Sequence, residues 1–212
     1  MITEIQSVTD PTSTQWPLFE GLTCLPPSLR NGSNTCTLGG YASYSINVTN
    51  VAQIQLALNF ARNTNLRLVI RNTGHDFAAK SIGAGALSIW THNLKSLEYN
   101  RNYTDKSYRG PAFHIGAGVE TEDVYRVAEQ NDVTVVGGEC RVSHIKPIMF
   151  LWNHETRFLT RLQTVGLAGG YIAGGGHSPM SSLVGMAADQ VCSLSQTQSL
   201  PFFVVTCPRL FP

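Results

Sequence analysis

Residues 166–178 place six glycines in thirteen positions, and this density limits what the surrounding chain can become. Each glycine inside a helix would cost about 1 kcal/mol relative to alanine, so the segment predicts a loop system rather than a helix. Glycine also lets a backbone approach a planar ring or a diphosphate closely. Val165, Leu167, Tyr171 and Ile172 interleave with the glycines. This favours a packed, ligand-binding loop over a flexible linker.

A second polar segment, 71–76 (Arg-Asn-Thr-Gly-His-Asp), follows directly on the apolar run 66–70. Upstream, a short strand is predicted over 43–46 and a helix from its cap Asn50 to residue 63. The order strand, helix, strand predicts a β-α-β unit with the 71–76 loop at the carboxyl end of its second strand, where ligand loops gather. Donors in such a loop can hold a pyrophosphate, with His75 beside the bound nucleotide.

The remaining pattern is one of short elements. A small-residue loop at 83 leads into a strand ending at 90, and another strand is predicted over 112–115. A second helix is predicted over 120–131, followed by a strand over 133–136. Short strands with two crossover helices predict an α+β or mixed α/β fold.

Several classes of function are disfavoured. The net charge is +1, only 14% of residues are charged, and no Lys/Arg cluster occurs, so no nucleic-acid partner is expected. No run approaches the roughly 20 apolar residues of a membrane span. The histidines and Cys140 lack metal-ligand spacing, so no metal is expected. The triplet 174–176 lacks the spacing of a Rossmann fingerprint.

The compartment signals disagree with one another. Asn31, Asn47 and Asn102 each begin an N-glycosylation acceptor pattern. Cys24 and Cys36 lie in a turn-rich stretch and fit either a disulfide or two unpaired buried thiols. These features suit the secretory pathway, whereas residues 1–6 have neither the basic start nor the apolar stretch of a signal peptide.

Three motifs together resemble a known family: 71–76, 137–140 (Gly-Gly-Glu-Cys) and 164–178. They are similar to the flavin-linked oxidases with a PCMH-type FAD-binding domain of the vanillyl-alcohol-oxidase and berberine-bridge-enzyme type, especially those of fungal secondary metabolism. Segments 88–92 and 185–191 add to the likeness. The resemblance implies a domain of two α/β subdomains, FAD as cofactor, a small-molecule substrate and O2 as electron acceptor.

The resemblance also implies roles for individual residues. His75 would bond covalently to the flavin 8α-methyl group, and Cys140 to flavin C6. The alternatives are a phosphate-loop histidine without a covalent bond and an inert buried cysteine. No catalytic residue is assigned. The implied cofactor-binding set is Arg71, Asn72, Thr73, Gly74, His75, Asp76, Gly137, Gly138, Cys140, Thr164, Val165, Gly166, Gly169, Gly170, Gly174, Gly175, Gly176 and His177.

Two segments depart from the family pattern. Residues 141–163 separate Gly-Gly-Glu-Cys from the Thr-Val-Gly segment that follows it closely in the family. Codons for 142–143 can carry a splice-donor sequence and codons for 162–163 an acceptor, so we hypothesise a translated intron over 142–163. Residues 192–212 bear little likeness to the family, and its substrate-binding domain is lacking. The predicted organisation is an N-terminal arm (1–46), the FAD-binding domain (47–191) and an aberrant tail (192–212).

The sequence therefore predicts a truncated FAD-linked oxidoreductase of fungal secondary metabolism with little turnover of its own. An ergot-alkaloid-type oxidase is one candidate. The alternatives are a non-enzymatic pseudogene product and an FAD-binding pseudoenzyme. An extracellular carbohydrate- or peptide-binding module would explain the glycosylation patterns, but it leaves the 164–178 segment unexplained.

Overall fold

A computed structural model describes residue 11 and residues 38–138, 164–197 and 200–206 of the chain. Its first unit is a three-stranded parallel sheet built from β1 (Tyr44–Asn47), β2 (Leu68–Arg71) and β3 (Leu87–Trp90). β3 lies in the centre, so the strand order is β1-β3-β2. Helix α1 (Val51–Asn63) connects β1 to β2. The carboxyl ends of all three strands consequently lie at one edge, which carries the 72–76 loop.

Helix α1 begins and ends at identifiable caps. The Asn50 side chain accepts a hydrogen bond from the Gln53 backbone N–H at 3.0 Å, which satisfies a donor in the first turn. Ile54, Ala57 and Ala61 form its buried face. The helix stops at Thr64, whose hydroxyl donates to the Phe60 carbonyl at 2.7 Å, and the backbone turns away at Asn65 with a φ of 52°.

The second unit is an antiparallel sheet with helices beside it. Its strands are β4 (Leu97–Thr104), β5 (Arg109–Gly116), β6 (Val191–Thr197) and β7 (Leu200–Thr206), in the order β4-β5-β7-β6. Helix α2 (Thr121–Gln130) follows β5, and a π-helical turn (Leu167–Tyr171) lies further along the chain. The short helix α3 (Ser181–Val184) and a 3-10 turn (Ala187–Gln190) lead into β6.

Each unit has its own apolar core, which confirms the expected α+β arrangement of two subdomains. Ile54 and Ala57 of α1 pack on Ile89 of β3 in the first core. Phe113 and Ile115 of β5 belong to the second core, whose other buried members are Val119, Val124, Ala128, Val135, Val136, Leu167, Ala168, Ile172 and Ala187.

Three local predictions are wrong. Residues 133–136 form no strand, because Val135 and Val136 are buried beside α2 instead of pairing in a sheet. Residues 167–171 form a π-helical turn, so the glycine segment is not loop throughout. Strand β4 was not predicted, because the polar run Asn100-Arg101-Asn102 interrupts its pattern and pairing with β5 holds it.

Both boundaries of the predicted FAD-binding domain fall inside sheets. β1 begins at Tyr44, so the last residues of the predicted arm belong to the parallel sheet. β6 and β7 place 191–197 and 200–206 in the antiparallel sheet, although the sequence predicts an aberrant tail from residue 192. In the described part of the chain, no helix combines the length and apolarity needed to cross a membrane.

Candidate functional site

The end of strand β3 holds the loop that follows β2. The Trp90 indole N–H donates to the Asn72 carbonyl at 3.0 Å. The Thr91 backbone N–H donates to the Arg71 carbonyl at 2.8 Å, and its hydroxyl contacts the same oxygen at 3.2 Å. Because these contacts fix the backbone at 71–72, the loop leaves the sheet in a defined direction.

The far end of this loop is closed by Asp76. Its carboxylate oxygens accept hydrogen bonds from the backbone N–H groups of Lys80 at 2.9 Å and Ser81 at 2.7 Å. Gly74 adopts a φ of 83°, a conformation that glycine permits without strain. The Asp76 side chain thus shapes the loop and leaves His75 at its centre.

His75 faces the glycine segment from across the site. Its Nε2 lies 2.9 Å from the Thr164 hydroxyl oxygen. Burial lowers the pKa of His75 to about 4, and a hydrogen bond with Thr164 opposes that shift only in part. The ring is therefore neutral at pH 7, and a neutral imidazole retains a nucleophilic nitrogen lone pair.

The π-helical turn at 167–171 is anchored on both sides. The Leu167 N–H donates to the Val119 carbonyl at 3.0 Å, and the Thr121 N–H donates to the Val165 carbonyl at 2.9 Å. The N–H of Tyr171 is the first to bond back within the turn, reaching the Gly166 carbonyl at 3.1 Å. The turn therefore supplies no acceptor for the N–H groups of residues 168–170, which suits an anionic ligand.

The triplet 174–176 leads out of the turn, and two of its three residues adopt a conformation that favours glycine. Gly175 and Gly176 have φ values of 95° and 73°. A Cβ on Gly176 would lie 2.7 Å from Ala187 Cβ and 2.8 Å from the Tyr171 ring. The Tyr171 hydroxyl also donates to the His177 carbonyl. These contacts place His177 near the mouth of the site.

A cavity of about 860 Å³ lies between the two loops. Arg71, Gly137, Thr164 and Gly175 do not form part of its wall, although Thr164 touches His75. Sequence reasoning missed Phe77, Lys80, Ser81, Tyr171 and strand β2 as lining. The predicted residues that line it are Asn72, Thr73, Gly74, His75, Asp76, Gly138, Val165, Gly166, Gly169, Gly170, Gly174, Gly176 and His177.

The chain on either side of residues 139–163 meets at the cavity wall. A Cβ on Gly138 would lie 2.9 Å from Val165 Cγ1. A Cβ on Gly137 would lie 2.7 Å from both Thr121 Cγ2 and the Tyr125 hydroxyl oxygen. Both glycines are consequently needed for this close packing, and the two halves of the site lie side by side.

Behind the cavity, a buried polar cluster joins the two subdomains. Arg71 is only 1% exposed. His92 stacks on Trp90 with ring centroids 5.4 Å apart, and its pKa is lowered to about 4 by burial and by the positive charges of Lys95 and Arg71. The Lys95 ammonium lies 2.8 Å from the Glu120 carboxylate at the start of α2.

The other predicted sites divide between described and undescribed residues. Asn47 and Asn102 have exposed side chains, as a glycosylation acceptor requires. Cys192 is disulfide-bonded, which the sequence reasoning did not anticipate. Within the described ranges, no group of three or more His, Cys, Asp or Glu side chains could hold a metal ion. Cys24, Cys36, Asn31 and Cys140 lie outside the described residues.

The residues present fit a flavin dinucleotide. The cavity volume lies in the range of small-molecule and cofactor sites, roughly 300–1,000 Å³. A Cβ on Gly170 would meet no atom within 4 Å, so the wall there is bare backbone beside open space. Gly169, Gly170 and Lys80 lie on the wall, and backbone N–H groups together with a lysine ammonium complement a pyrophosphate.

Comparison with known proteins agrees with this fit. Residues 42–141 match the family described as FAD binding domain. A VAO-type flavoprotein oxidase of Thermothelomyces thermophilus is 44% identical over 173 residues, which is 82% of this chain and 26% of that protein. An FAD-linked oxidoreductase of Phaeosphaeria nodorum is 42% identical over 175 residues, covering 82% of this chain and 48% of that protein.

A solved structure shows the same fold. The crystal structure of a VAO-type flavoprotein from Myceliophthora thermophila superposes with a TM-score of 0.78 at 35% sequence identity. The match covers 97% of this chain and 38% of that one. The chain thus spans between about a quarter and about a half of the length of these relatives. Residues 42–141 carry an FAD-binding domain, the chain is similar to the VAO-type FAD-linked oxidoreductases, and FAD is its cofactor.

Proposed function

We propose that this chain tethers FAD covalently through His75 and is the FAD-binding part of an oxidase of fungal secondary metabolism. The observation that carries the proposal is the His75 ring. It lies on the cavity wall, is held neutral by burial, and contacts Thr164 at 2.9 Å across the site. A neutral ring nitrogen is the form that could replace one hydrogen of the flavin 8α-methyl group, with two protons released and two electrons passing through the flavin to O2.

Each loop has a distinct task in this proposal. The backbone N–H groups of Gly169 and Gly170 and the Lys80 ammonium would hold the pyrophosphate. Thr164 would orient the His75 ring toward the flavin. Cys140 would supply the second covalent bond. Bound FAD supplies hydride acceptance from the substrate and reoxidation by O2, with release of H2O2.

The substrate class and turnover belong to the proposal as well. Relatives named FAD-linked oxidoreductases come from fungi, which supports a small-molecule substrate of secondary metabolism, with an ergot-alkaloid-type oxidation as one case. We propose little turnover by this chain alone, because Asp76 is committed to backbone N–H groups and no acid–base pair is assigned among the residues that line the cavity. An FAD-binding protein without catalysis is the alternative.

Flavin fluorescence after denaturing electrophoresis tests the tether. With Cys140 replaced by serine, the chain reconstituted with FAD should give a fluorescent band, and adding His75→Ala should abolish it. His177→Ala is the matched control, since this histidine also lines the cavity but has no assigned bond. A band that persists in His75→Ala, with Cys140 replaced in the same variant, would refute attachment at His75. H2O2 production by the chain alone would refute the proposed lack of turnover.

A further inference from the structure

We propose that Asn72 is a positioning residue whose carboxamide sets the gap between the 72–76 loop and the glycine turn at 167–171. The proposal rests on the assignment of this cavity to FAD. The family resemblance places Asn72 against the pyrophosphate, whereas its side chain is engaged with the protein itself.

The Asn72 amide nitrogen bonds to two segments of the chain. It donates to the carbonyl of Ala117, in the connection between β5 and α2, and to the Thr91 hydroxyl at 3.2 Å. Thr91 and Asn72 belong to the parallel-sheet subdomain, and Ala117 directly follows β5. The Ala117 side chain packs in the core of the first unit, so the carboxamide ties the end of β2 to the connection that leads from β5 into α2.

The same carboxamide occupies the space above two glycines of the cavity wall. A Cβ on Gly166 would overlap Asn72 Oδ1, and a Cβ on Gly169 would overlap Asn72 Nδ2 and the Ala117 carbonyl oxygen. The glycine turn thus lies as close to Asn72 as a bare backbone allows. The width of the cavity consequently depends on how far the Asn72 side chain projects.

The burial of Asn72 favours a structural task over solvent contact. The residue is 8% exposed, and Oδ1 accepts no hydrogen bond from the part of the chain that the structure describes. Leaving the buried Oδ1 without a hydrogen bond is unfavourable. The position therefore does not hold asparagine because both polar atoms of the amide are paired. An apolar side chain of similar volume would avoid that cost, but it could not donate to Ala117.

The two glycines differ in a way that makes the proposal testable by a double-mutant cycle. For Gly166, the close contacts of an added Cβ are with the Asn72 carboxamide, and the backbone there (φ −71°, ψ 105°) accepts alanine. For Gly169, the Ala117 carbonyl also blocks the added Cβ. Asn72→Ala should therefore reduce the loss of stability caused by Gly166→Ala. It should not reduce the loss caused by Gly169→Ala.

The first measurement is chemical denaturation of the full chain without FAD. We expect Gly166→Ala to lower the denaturation midpoint or to prevent folding. The double variant Asn72→Ala with Gly166→Ala should recover most of the lost midpoint. The Asn72→Ala with Gly169→Ala pair should show no recovery. Additive losses for Asn72→Ala with Gly166→Ala would overturn the proposal.

The second measurement is FAD affinity, by quenching of flavin fluorescence. Asn72→Leu has a similar volume and no charge but loses the donor to Ala117, so we expect at least a tenfold weaker affinity. Asn93→Ala is the matched control, because this exposed asparagine bonds only to the Asn47 side chain among the described residues. Wild-type affinity in Asn72→Leu would overturn the proposal. If the unaltered chain binds no FAD, the proposed function fails while the denaturation cycle still decides the role of Asn72.

Discussion

At the scale of single residues, the site depends on contacts between chain segments that are far apart in sequence. His75 and Thr164 are separated by 89 positions, yet Nε2 and the hydroxyl oxygen lie 2.9 Å apart. The sequence motifs predicted that both residues belong to the flavin site. They could not predict this pairing, since it depends on how the glycine turn docks onto β5 and α2. Nor could they predict that Arg71 lies behind the cavity wall.

Gly170 and Gly118 should respond to the same substitution in opposite ways. Gly170→Ala adds a Cβ to the cavity side of the wall, where no atom lies within 4 Å. The melting temperature should stay unchanged, while FAD affinity falls roughly tenfold, about 1.4 kcal/mol. Gly118→Ala would drive a Cβ into the His92 carbonyl and should cost about 3 kcal/mol of stability. Calorimetry measures the stability of each variant, and FAD titration measures its affinity. A loss of stability in Gly170→Ala would contradict the assignment of Gly170 to the cavity wall.

At the scale of elements, periodic apolar patterns predicted both helices well. Residues 50–63 and 120–131 were expected, and α1 (Val51–Asn63) and α2 (Thr121–Gln130) formed. Residues 133–136 show the limit of such patterns. A β-branched apolar run fits a strand or a buried connection equally well, and partner strands decide between them. The partners of β5 include β7, which lies 84 residues beyond the end of β5 and could not be identified from local pattern.

The connection between Gly138 and Val165 can be shortened. These residues already touch, so the 25 residues 139–163 close a loop whose ends lie together. Deleting 142–163 should raise stability by about 2 kcal/mol through a lower loop-closure entropy and should preserve FAD affinity. A Gly/Ser replacement of 142–163 with the same length is the control and should lack the gain. Loss of folding or FAD binding on deletion would show that this segment belongs to the domain.

At the scale of the whole molecule, two buried histidines couple stability to pH. Burial lowers the pKa of His75 and of His92 to about 4, below the ordinary 6.5. Between these values the unfolded chain binds protons that the folded chain does not. Stability is therefore complete above about pH 6.5 and falls as the pH drops toward 4.

The melting temperature at pH 7.5 and pH 4.5 measures this dependence. The melting temperature should fall by roughly 2–4 °C for each kcal/mol lost from the free energy of unfolding in a chain of this size. His92 is surrounded by the charged side chains of Arg71, Lys95, Glu120 and Asp123. Carboxylates elsewhere in the chain also contribute to the pH dependence of stability. His92→Gln removes one of the two histidines, so its pH-dependent loss should be smaller than that of the unaltered chain. Equal losses would exclude His92 as a contributor.

The strand order also sets a sequence of events during synthesis. All three strands of the parallel sheet are complete once residue 90 has been made, whereas β7, residues 200–206, must enter between β5 and β6. At roughly 5–20 residues per second, the ribosome needs on the order of ten seconds to cover that distance. During this interval one edge of β5 has no neighbour, and Phe113 and Ile115 lack a finished sheet around them. The nascent chain is therefore exposed to misassociation at this edge of β5 until β7 has been made.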